Sequence, residues 1–389
     1  MAEPAPSILI LGTRGIPASH GGFETFAERL ALYLHGRGWN VGVYCQNETN
    51  GQPIKQRITQ DVWNGISLLQ VNVARSGPVA SLEFDLISVT DAMKRDAVCL
   101  VLGYNSGVFL PLLRMAGRKV LTNMDGIEWK RPKWSFPIKA WFWVNEWIAA
   151  WSSHHLISDN PAITDHLATR RSRSAISTIP YGGREVLSAP ETAVREFGLQ
   201  PQRYFISIAR IEPDNNILTI VEAFSRKPRD MKLVVLGTFV DDNPYHQSIL
   251  RAASTDVIFP GAIYDADVVA ALRFHARAYV HGHTVGGTNP SLVEALWAGN
   301  AVIAHDNKYN RWTAQNAGFY FRTIDDLEGL LERLTVDDAA VAEASIAARL
   351  RAATDFDWNI ILKAYEDEAM RLMGSAADAG QNLTVSLPS

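Results

Sequence analysis

A glycine-rich stretch that runs straight into a short helix, residues 281–299, constrains this chain more than any other part of its sequence. Pro290 suits the first helical position, Asn289 the capping position before it, and Gly299 a left-handed turn at the end. A helix that starts behind a flexible loop presents unpaired N–H groups and positive partial charge, which favour a phosphate group. Glu294 lies one turn into this helix and points towards whatever the loop binds. The alternative is an ordinary loop and helix between two buried strands.

The length of 389 residues exceeds what one hydrophobic core supports and predicts two domains of ordinary size. Hydrophobic content of 47% with 20% charged residues is typical of soluble globular proteins, and the net charge of −4 gives no reason to expect nucleic-acid binding. Cys45 and Cys99 lie in apolar, strand-like runs, which indicates buried free thiols in a reducing compartment. The apolar run at residues 7–11 is too short for a signal peptide or a membrane span, so a cytoplasmic protein is expected.

The N-terminal half opens with a buried strand, a glycine loop over residues 12–22 and an amphipathic helix, the start of a doubly wound domain. The loop lacks the Gly-x-Gly-x-x-Gly spacing, so a dinucleotide site is weakly supported. Arg14 and the pair Gly21-Gly22 still allow an anionic ligand to approach the backbone. A plain surface role for Arg14 is equally compatible with the pattern.

Later strands of this half each end in polar or glycine residues. Because ligands of open parallel sheets bind at the carboxyl ends of the strands, these positions are candidate site residues. They are Tyr104, Asn105, Asp125, Glu128, Asp159 and Tyr181. Each of them alone could equally be a cap or a turn residue.

The segment 130–151 departs from this pattern because it combines leading basic residues with a tryptophan-rich helix. Tryptophan and lysine together are typical of a helix that lies on a membrane surface. An aromatic helix packed in the core is the alternative. Asn145 and Glu146 interrupt the apolar run, so the segment is not expected to span a bilayer.

The C-terminal half repeats the strand–helix alternation after a polar linker at residues 183–203. We therefore predict an N-terminal Rossmann-like domain over 1–183 and a C-terminal one over 184–355. A helix over 356–373 is expected to pack back on the N-terminal domain, and residues 374–389 are expected to form a disordered tail. His281 and His283 could suggest a metal, but without a clear third ligand a structural or substrate contact is favoured.

Three longer patterns resemble one enzyme family. The paired domains, the segment 209–224 around Arg210 and the glutamate-bearing helix after the glycine loop resemble the retaining glycosyltransferases of family four, which have the GT-B fold. Within that family the sequence is similar to the bacterial β-1,4-rhamnosyltransferase group. The motifs that carry this likeness are residues 12–17 with 21–25, residues 125–131 and residues 281–294.

The sequence departs from the family pattern at three positions. Gly286 stands where the first glutamate of the Glu-x7-Glu motif is expected, and Asn215 stands where a lysine is expected. Both changes look typical of the rhamnosyl group and fit a 6-deoxy sugar with fewer hydroxyls to hold. Arg184 replaces an acidic residue that often follows Tyr-Gly-Gly.

The resemblance implies an α/β, GT-B architecture, two doubly wound domains facing a central cleft, with an N-terminal acceptor domain and a C-terminal donor domain. It implies the catalytic residues Asp125, Arg210 and Glu294. It places the donor nucleotide sugar on Arg14, Gly21, Gly22, Asn215, Tyr264, His283, Gly286, Gly287, Thr288, Asn289 and Ser291. It places the acceptor on Glu24, Tyr104, Asn105, Glu128, Asp159 and Tyr181.

The implied reaction is transfer of a sugar, L-rhamnose from TDP-β-L-rhamnose, onto a lipid-linked saccharide at the inner face of the plasma membrane. Arg210 and the helix start would stabilise the leaving diphosphate, so no metal and no other cofactor are expected. No side chain stands out as a nucleophile, which implies same-face attack, with Asp125 as base or orienter near the acceptor hydroxyl. A UDP-hexose donor on the same fold, and a sugar-nucleotide-binding protein without transfer activity, are the alternatives.

Overall fold

The computed structural model describes residues 5–18, 21–49 and 53–381, and these residues form two compact units. One unit combines the chain up to Ile179 with the segment that starts at Asn359, and the other is Pro180–Trp358. The sequence places this boundary after residue 183, slightly further along the chain.

The first unit is built on an eight-stranded sheet in the order β3-β4-β2-β1-β5-β6-β7-β8. Its strands are β1 Ser7–Leu11, β2 Asn40–Glu48, β3 Ile58–Trp63, β4 Ile66–Val73, β5 Val98–Leu102, β6 Val120–Asn123, β7 His155–Ser158 and β8 Ile176–Thr178. Its first helices are α1 Gly22–Gly36, α2 Gly77–Ala92, α3 Leu110–Met115, α4 Phe136–Ser152 and α5 Pro161–Leu167. Neighbouring strands are parallel except β3 and β4, which pair antiparallel with Trp63 opposite Ile66.

The β3–β4 hairpin turns at an Asn-Gly pair. Asn64 and Gly65 have φ angles of +47° and +80°. Positive φ at both central residues is what a type I′ turn requires, and an Asn-Gly pair adopts it with little strain. The hairpin closes one edge of an otherwise parallel sheet.

The second unit contains a six-stranded parallel sheet in the order β11-β10-β9-β12-β13-β14. Its strands are β9 Tyr204–Ile208, β10 Lys232–Leu236, β11 Val257–Gly261, β12 Ala278–His281, β13 Ala301–His305 and β14 Gly318–Phe321. Its helices are α6 Thr192–Arg195, α7 Ile217–Ser225, α8 Pro244–Ala252, α9 Ala266–Phe274, α10 Pro290–Trp297, α11 Lys308–Ala314, α12 Ile324–Val336 and α13 Asp338–Asp355. Short α6 lies inside the segment that the sequence assigns to a linker.

Helices cover both faces of this second sheet. Along β9, Tyr204 and Ile206 pack into one buried apolar cluster, whereas Phe205 packs into the other. Successive side chains of a strand point to opposite faces, so a strand that is apolar at every position needs cover on both sides. The continuous apolar runs in the sequence therefore follow from the doubly wound architecture.

The chain returns to the first unit through its last helix, α14 Trp358–Gln381. Glu366 on this helix is buried and accepts hydrogen bonds from the Tyr33 hydroxyl at 3.0 Å and from Nε1 of Trp39 at 3.1 Å. The ring of Tyr365 packs on Phe26, with ring centroids 4.6 Å apart. The helix extends into the segment predicted to be a disordered tail, and the rest of that segment, 382–389, lies outside the described residues.

Strand order reverses once in each sheet, between β1 and β5 in the first unit and between β9 and β12 in the second. At such a point, adjacent crossover connections leave opposite faces of the sheet and open a crevice at the carboxyl ends of the strands. The segments after β9 and β12, and those after β1, β5 and β6, are thus where the fold favours a ligand.

Candidate functional site

Arg210 lies on a tight turn directly after β9. Its carbonyl accepts hydrogen bonds from the backbone N–H of Glu212 and from Nδ2 of Asn215, both at 2.8 Å. The side chain is 67% exposed, and Nη1 lies 3.7 Å from Oε1 of Glu212, which is beyond hydrogen-bond distance. The turn is therefore held through its backbone, while the guanidinium can still bind an anion. Buried Asn215 shapes this turn, and a direct contact with the donor stays a prediction.

The turn after β9 is joined to the end of β12. Nδ2 of Asn216 donates to the Gly282 carbonyl at 2.8 Å, and the backbone N–H of Thr284 donates to the Asp214 carbonyl at 2.9 Å. A Cβ at position 282 would collide with the Asn215 carbonyl, so only glycine permits this close approach. The two strand ends consequently form one continuous surface at the switch point.

The glycine loop and helix α10 adopt the conformation that the sequence predicts. Gly286 has a φ of +123°, α10 begins at Pro290, and Gly299 has a φ of +75°. Asn289 takes the capping position, but its side chain accepts no hydrogen bond from the first turn. Thr288 is buried, and Gly287 before it is partly exposed. The start of α10 therefore offers backbone N–H groups to the switch point without a side-chain cap from Asn289.

Glu294 is held by a residue that the sequence pattern does not single out. Nη2 of buried Arg273, on α9, lies 2.7 Å from Oε2 of Glu294 and donates to Oγ of Ser291 at 3.2 Å. The Glu294 side chain remains 43% exposed. One side of its carboxylate is thus fixed from the protein interior, and the rest faces solvent.

His281 and His283 form a stacked pair after β12. Their ring centroids are 4.2 Å apart and the ring planes differ by 6°. Burial, reinforced by the neighbouring His283, lowers the pKa of His281 well below 6.5, so this ring is neutral. Neither ring nitrogen of His281 has a hydrogen-bond partner within the described residues. Across those same residues, no cluster of three or more histidines, cysteines or carboxylates is suited to a metal ion.

Tyr264 follows β11 at the outer edge of the second sheet. Its side chain is 75% exposed. The resemblance implies a contact of Tyr264 with the donor nucleotide sugar, and this contact stays a prediction.

In the first unit, the loop after β1 carries the predicted residues Arg14, Gly21, Gly22 and Glu24. Arg14 is exposed, and its carbonyl accepts a hydrogen bond from Gln46 at 2.9 Å. Gly21 has a φ of +92°, and a Cβ there would meet the Glu24 carboxylate. α1 starts at Gly22, so Glu24 lies in its first turn.

Asp125 follows β6 in a left-handed conformation that is uncommon for a residue other than glycine, with a φ of +52°. Its backbone N–H donates to Oδ1 of Asn123 at 2.9 Å, and Nδ2 of Asn123 donates to the Tyr365 hydroxyl at 2.7 Å. Burial raises the pKa of Tyr365, and the carboxylates of Asp159 and Asp125 raise it further. Asp125 and Asp159 thus both lie near the hydroxyl that α14 supplies.

Tyr104 and Glu128 lie near Asp125, at the same edge of the first sheet. The backbone N–H of Glu128 donates to the Tyr104 hydroxyl at 2.8 Å. Burial raises the pKa of Tyr104, and the charges of Glu146, Glu128 and Asp125 add to this effect. The carbonyl of Asn105 accepts a hydrogen bond from Nε1 of Trp141 at 3.1 Å. The first unit therefore brings Tyr104, Asp125, Glu128 and Asp159 to one edge of its sheet.

One predicted acceptor residue, Tyr181, lies in the second unit, and its contact with the acceptor stays a prediction. The Tyr181 ring packs edge-on against Trp358 with centroids 4.9 Å apart. Asn123 and Arg273, in contrast, contact candidate residues without being candidates from sequence, and Tyr365 contacts Asn123. No local motif marks Arg273 and Tyr365, because each contacts a partner that is distant in the chain.

Comparison with known proteins indicates the class of protein to which this chain is similar. Residues 191–349 match the model of glycosyl transferases group 1, and residues 5–184 match a domain of unknown function, DUF1972. No curated protein sequence matches the chain significantly.

Several solved structures share its fold over nearly the whole length. Sucrose-phosphate synthase from Thermosynechococcus elongatus has a TM-score of 0.75 at 16% identity, covering 95% of this chain and 100% of its own. An α,α-trehalose 6-phosphate synthase from Burkholderia multivorans has a TM-score of 0.74 at 12% identity, covering 97% and 100%. A trehalose-6-phosphate structure from E. coli, bound with UDP-2-fluoro glucose, has a TM-score of 0.71 at 10% identity, covering 94% and 99%.

These likenesses establish the GT-B fold, as the sequence predicts. The C-terminal match adds a glycosyl transferases group 1 domain, and the two findings together support a GT-B glycosyltransferase. Within the part of the chain that the structure describes, no helix is long and apolar enough to cross a membrane.

Proposed function

We propose that this glycosyltransferase moves L-rhamnose from TDP-β-L-rhamnose onto a lipid-linked saccharide, with retention of anomeric configuration, in cell-surface polysaccharide assembly. The observation that carries the proposal is the switch point of the second unit. There, exposed Arg210, the start of α10 and Glu294 lie on neighbouring segments of one sheet edge. This is the arrangement that a nucleoside diphosphate sugar requires.

The leaving group is the part of the donor whose charge grows as the glycosidic bond breaks. Arg210 and the N–H groups at the start of α10 supply fixed positive potential to that diphosphate. These protein groups do the work that a metal ion does in other transferases, so activity is expected without added metal. Glu294 accepts hydrogen bonds from hydroxyls of the donor.

The identity of the donor sugar is suggested by two charged side chains that the site lacks. Position 286 is a glycine in a left-handed conformation instead of a glutamate, and Asn215 directs its amide to the Arg210 carbonyl. Two charged side chains that would hold sugar hydroxyls or phosphate are therefore missing. A 6-deoxy sugar presents fewer hydroxyls and needs fewer such partners.

The acceptor hydroxyl attacks the face that the diphosphate leaves, and the departing phosphate takes up the proton. Asp125, at a strand end of the first unit, orients that hydroxyl for the attack. Its strained backbone supports a functional role, because such conformations persist where the surrounding structure holds them in place.

Helix α4 supports the proposal of a lipid-linked acceptor, because it buries polar side chains and exposes large apolar ones. The buried side carries Asn145 and Glu146, whereas large apolar side chains point outwards. The exposed ones are Phe136, Ile138, Trp141, Trp143, Val144 and Trp151. Phe136, Trp143 and Trp151 recur at helical spacing and form one apolar stripe.

Basic residues precede this stripe. Lys130 and Lys133 are exposed and lie over the rings of Trp129 and Trp134, at 5.3 and 4.9 Å from the centroids. Aromatic side chains beside lysines suit the headgroup region of an anionic bilayer. We assign the outer face of α4 to the inner leaflet of the plasma membrane, where a lipid-linked acceptor resides.

A donor screen followed by a transfer assay tests the proposal. TDP-rhamnose is expected to raise the melting temperature more than UDP-glucose does, because a ligand stabilises the state that it binds. A larger shift with UDP-glucose would favour the UDP-hexose alternative, whose nucleotide is the one bound in the E. coli structure. Transfer of labelled sugar from the preferred donor to a lipid-linked acceptor then distinguishes an enzyme from a binding protein.

A further inference from the structure

Arg273 is a buried cation next to the proposed diphosphate site. It lies near the end of α9, is only 6% exposed, and its Nε has no hydrogen-bond partner within the described residues. Its Nη2 contacts both Glu294 at 2.7 Å and Ser291 at 3.2 Å. A buried charge is costly unless it is paired, so the ion pair with Glu294 is what allows a guanidinium at this position.

Arg273 also joins a polar network beneath the switch point. The hydroxyls of Ser291 and Tyr279 lie 2.7 Å apart, and both lie 3.1 Å from the Ile208 carbonyl. Ile208 is the last residue of β9, two positions before Arg210. The first turn of α10 is thereby tied to the strand that presents Arg210.

The position of Glu294 creates an electrostatic problem for anion binding. It lies four residues after Pro290, which corresponds to roughly 6 Å along a helix. A bare carboxylate at that distance would repel a diphosphate at the start of α10 and offset the positive potential there. The guanidinium of Arg273 compensates the charge of Glu294 from the interior side while leaving the carboxylate 43% exposed.

We propose that Arg273 is a positioning residue that neutralises Glu294. It lets one carboxylate accept hydroxyl groups of the donor without repelling the diphosphate beside it. This role rests on the proposed function, because it concerns the same nucleotide site. Arg273 touches neither substrate nor reacting atoms and acts through Glu294 and Ser291.

The role predicts a specific pattern of nucleotide affinity. Arg273→Met leaves an unpaired carboxylate and is expected to weaken TDP binding about tenfold, an effect of the size of one charge-assisted contact. Binding of uncharged thymidine should change far less. Arg273→Lys keeps the charge and should retain most of the TDP affinity. Arg273→Met/Glu294→Gln removes both charges and should recover TDP affinity relative to Arg273→Met alone.

Arg277→Met is the matched control. Arg277 is equally buried and four residues away, but it lies at the amino end of β12 and donates to Asp338 at 2.7 Å. It should lower the melting temperature without changing the ratio of TDP to thymidine affinity. A merely structural role of Arg273 would give the same result as this control.

The experiment is isothermal titration calorimetry of TDP and thymidine with the full chain, at low and high ionic strength. The loss in Arg273→Met should be larger at low ionic strength, because salt screens the repulsion. Unchanged TDP affinity in Arg273→Met, or a double variant as weak as the single one, overturns the inference. If Arg273→Met does not fold, the double variant is compared with the unmodified protein, and a clear loss of TDP affinity in the double variant overturns the inference.

Nucleotide binding by the unmodified protein distinguishes a failure of this inference from a failure of the proposed function. If it binds neither TDP nor UDP, the proposed function fails, and the role of Arg273 fails with it. If it binds UDP better, the same variants are titrated with UDP and uridine. If it binds TDP and Arg273→Met binds TDP equally well, only the inference about Arg273 is wrong.

Discussion

Arg210 and Glu294 differ in how the protein holds them, and this difference decides what a substitution at each position tests. Arg210 is exposed, and its Nη1 lies 3.7 Å from the Glu212 carboxylate, beyond hydrogen-bond distance, so its removal costs the fold little. Glu294 is paired with a buried arginine, so its removal also changes the stability of the second unit. Arg210 is therefore the cleaner probe of the donor site.

Arg210→Ala should lower kcat/KM for transfer from TDP-rhamnose by roughly 10- to 150-fold, because a charge-assisted contact to phosphate contributes about 1.5–3 kcal/mol. Arg210→Lys should recover only part of this loss, since lysine cannot bind two oxygens in one plane. Glu294→Gln should lower turnover while the protein still folds. Exposed Arg251, on α8, provides the control Arg251→Ala. Near-normal turnover in both Arg210→Ala and Glu294→Gln would place the donor site elsewhere.

Tyr365→Phe tests the support of Asp125 from α14. The substitution keeps the buried ring but removes the hydroxyl that accepts a hydrogen bond from Asn123. Looser positioning of Asp125 should lower kcat by roughly tenfold. Tyr33→Phe is the control, because it removes another hydroxyl bond to α14, the one to Glu366, without touching Asn123. Equal kinetic effects of the two variants would argue against a specific role for Tyr365.

At the scale of elements, α4 buries polar side chains and exposes large apolar ones, the reverse of an ordinary surface helix. Its inner side is fixed by Asn145, whose Oδ1 accepts the Val108 N–H at 2.8 Å, and by Glu146, which accepts from Arg170 and His166. Polar residues thus anchor the helix, and several of its large apolar side chains remain exposed. Such an arrangement is unfavourable in water alone, and the proposed membrane contact would account for it.

Replacing Lys130 and Lys133 together with glutamate should weaken binding to anionic liposomes by roughly tenfold or more, since each basic residue contributes about 1 kcal/mol at such a surface. Arg131 is left unchanged because its Nε lies 2.7 Å from Glu128. The control replaces exposed Lys55 and Lys94, which gives the same change in net charge. Liposome co-sedimentation measures the effect. Equal loss in both pairs would indicate a general charge effect and not a membrane-binding face.

The contacts that anchor α4 to α5 predict that the free energy of unfolding depends on pH. Burial alone would raise the pKa of Glu146, but hydrogen bonds from His166, Arg170 and Trp129 lower it below the ordinary 4.5. The stabilisation is therefore present above pH 4.5 and is lost as the pH falls below that value. Glu146→Gln should lower the free energy of unfolding by about 3 kcal/mol at neutral pH, and this difference should shrink in acid.

Denaturant unfolding between neutral and acidic pH measures this effect. Asp165→Asn, which removes an exposed ion pair between α5 and Arg173, should cost under about 1 kcal/mol. A pH-independent difference between Glu146→Gln and the unmodified protein would contradict the assignment.

At the scale of the whole molecule, the two units are not consecutive in sequence. The first unit is completed by α14, which supplies buried Ile361, Tyr365 and Leu372 and the polar contacts of Glu366 and Glu368. Asp125 is thus supported by a hydroxyl from the far end of the chain. The proposed acceptor region therefore depends on residues that are far apart in the sequence.

A chain that ends at Trp358 should therefore lose cooperative unfolding of the first unit. Each fully buried apolar side chain contributes about 1.5–3 kcal/mol, and several together approach the whole stability of a domain. Limited proteolysis and near-ultraviolet circular dichroism would report the loss. A chain that ends at Gly374 keeps all of these contacts and serves as the control. Retained cooperative unfolding after truncation at Trp358 would show that α14 is dispensable.

Residues 281–299 show how much of a site the sequence determined by itself. The left-handed Gly286, the helix start at Pro290 and the end at Gly299 follow from backbone preferences of single residues, which are local. The positions of the strands along the chain and the polar residues at their ends likewise follow from hydrophobic patterning. The doubly wound architecture of both units and the placement of Arg210 and Asp125 at strand ends were accessible from these signals.

Only the tertiary structure decided which residues support that site. Arg273 meets Glu294 because α9 and α10 pack together, and Tyr365 meets Asn123 because the chain returns after 242 positions. It also decided that α4 turns its polar residues inwards, since composition alone fits a core helix and a surface helix equally well. Contacts between distant segments depend on how elements pack against each other, and no local preference of either partner encodes them.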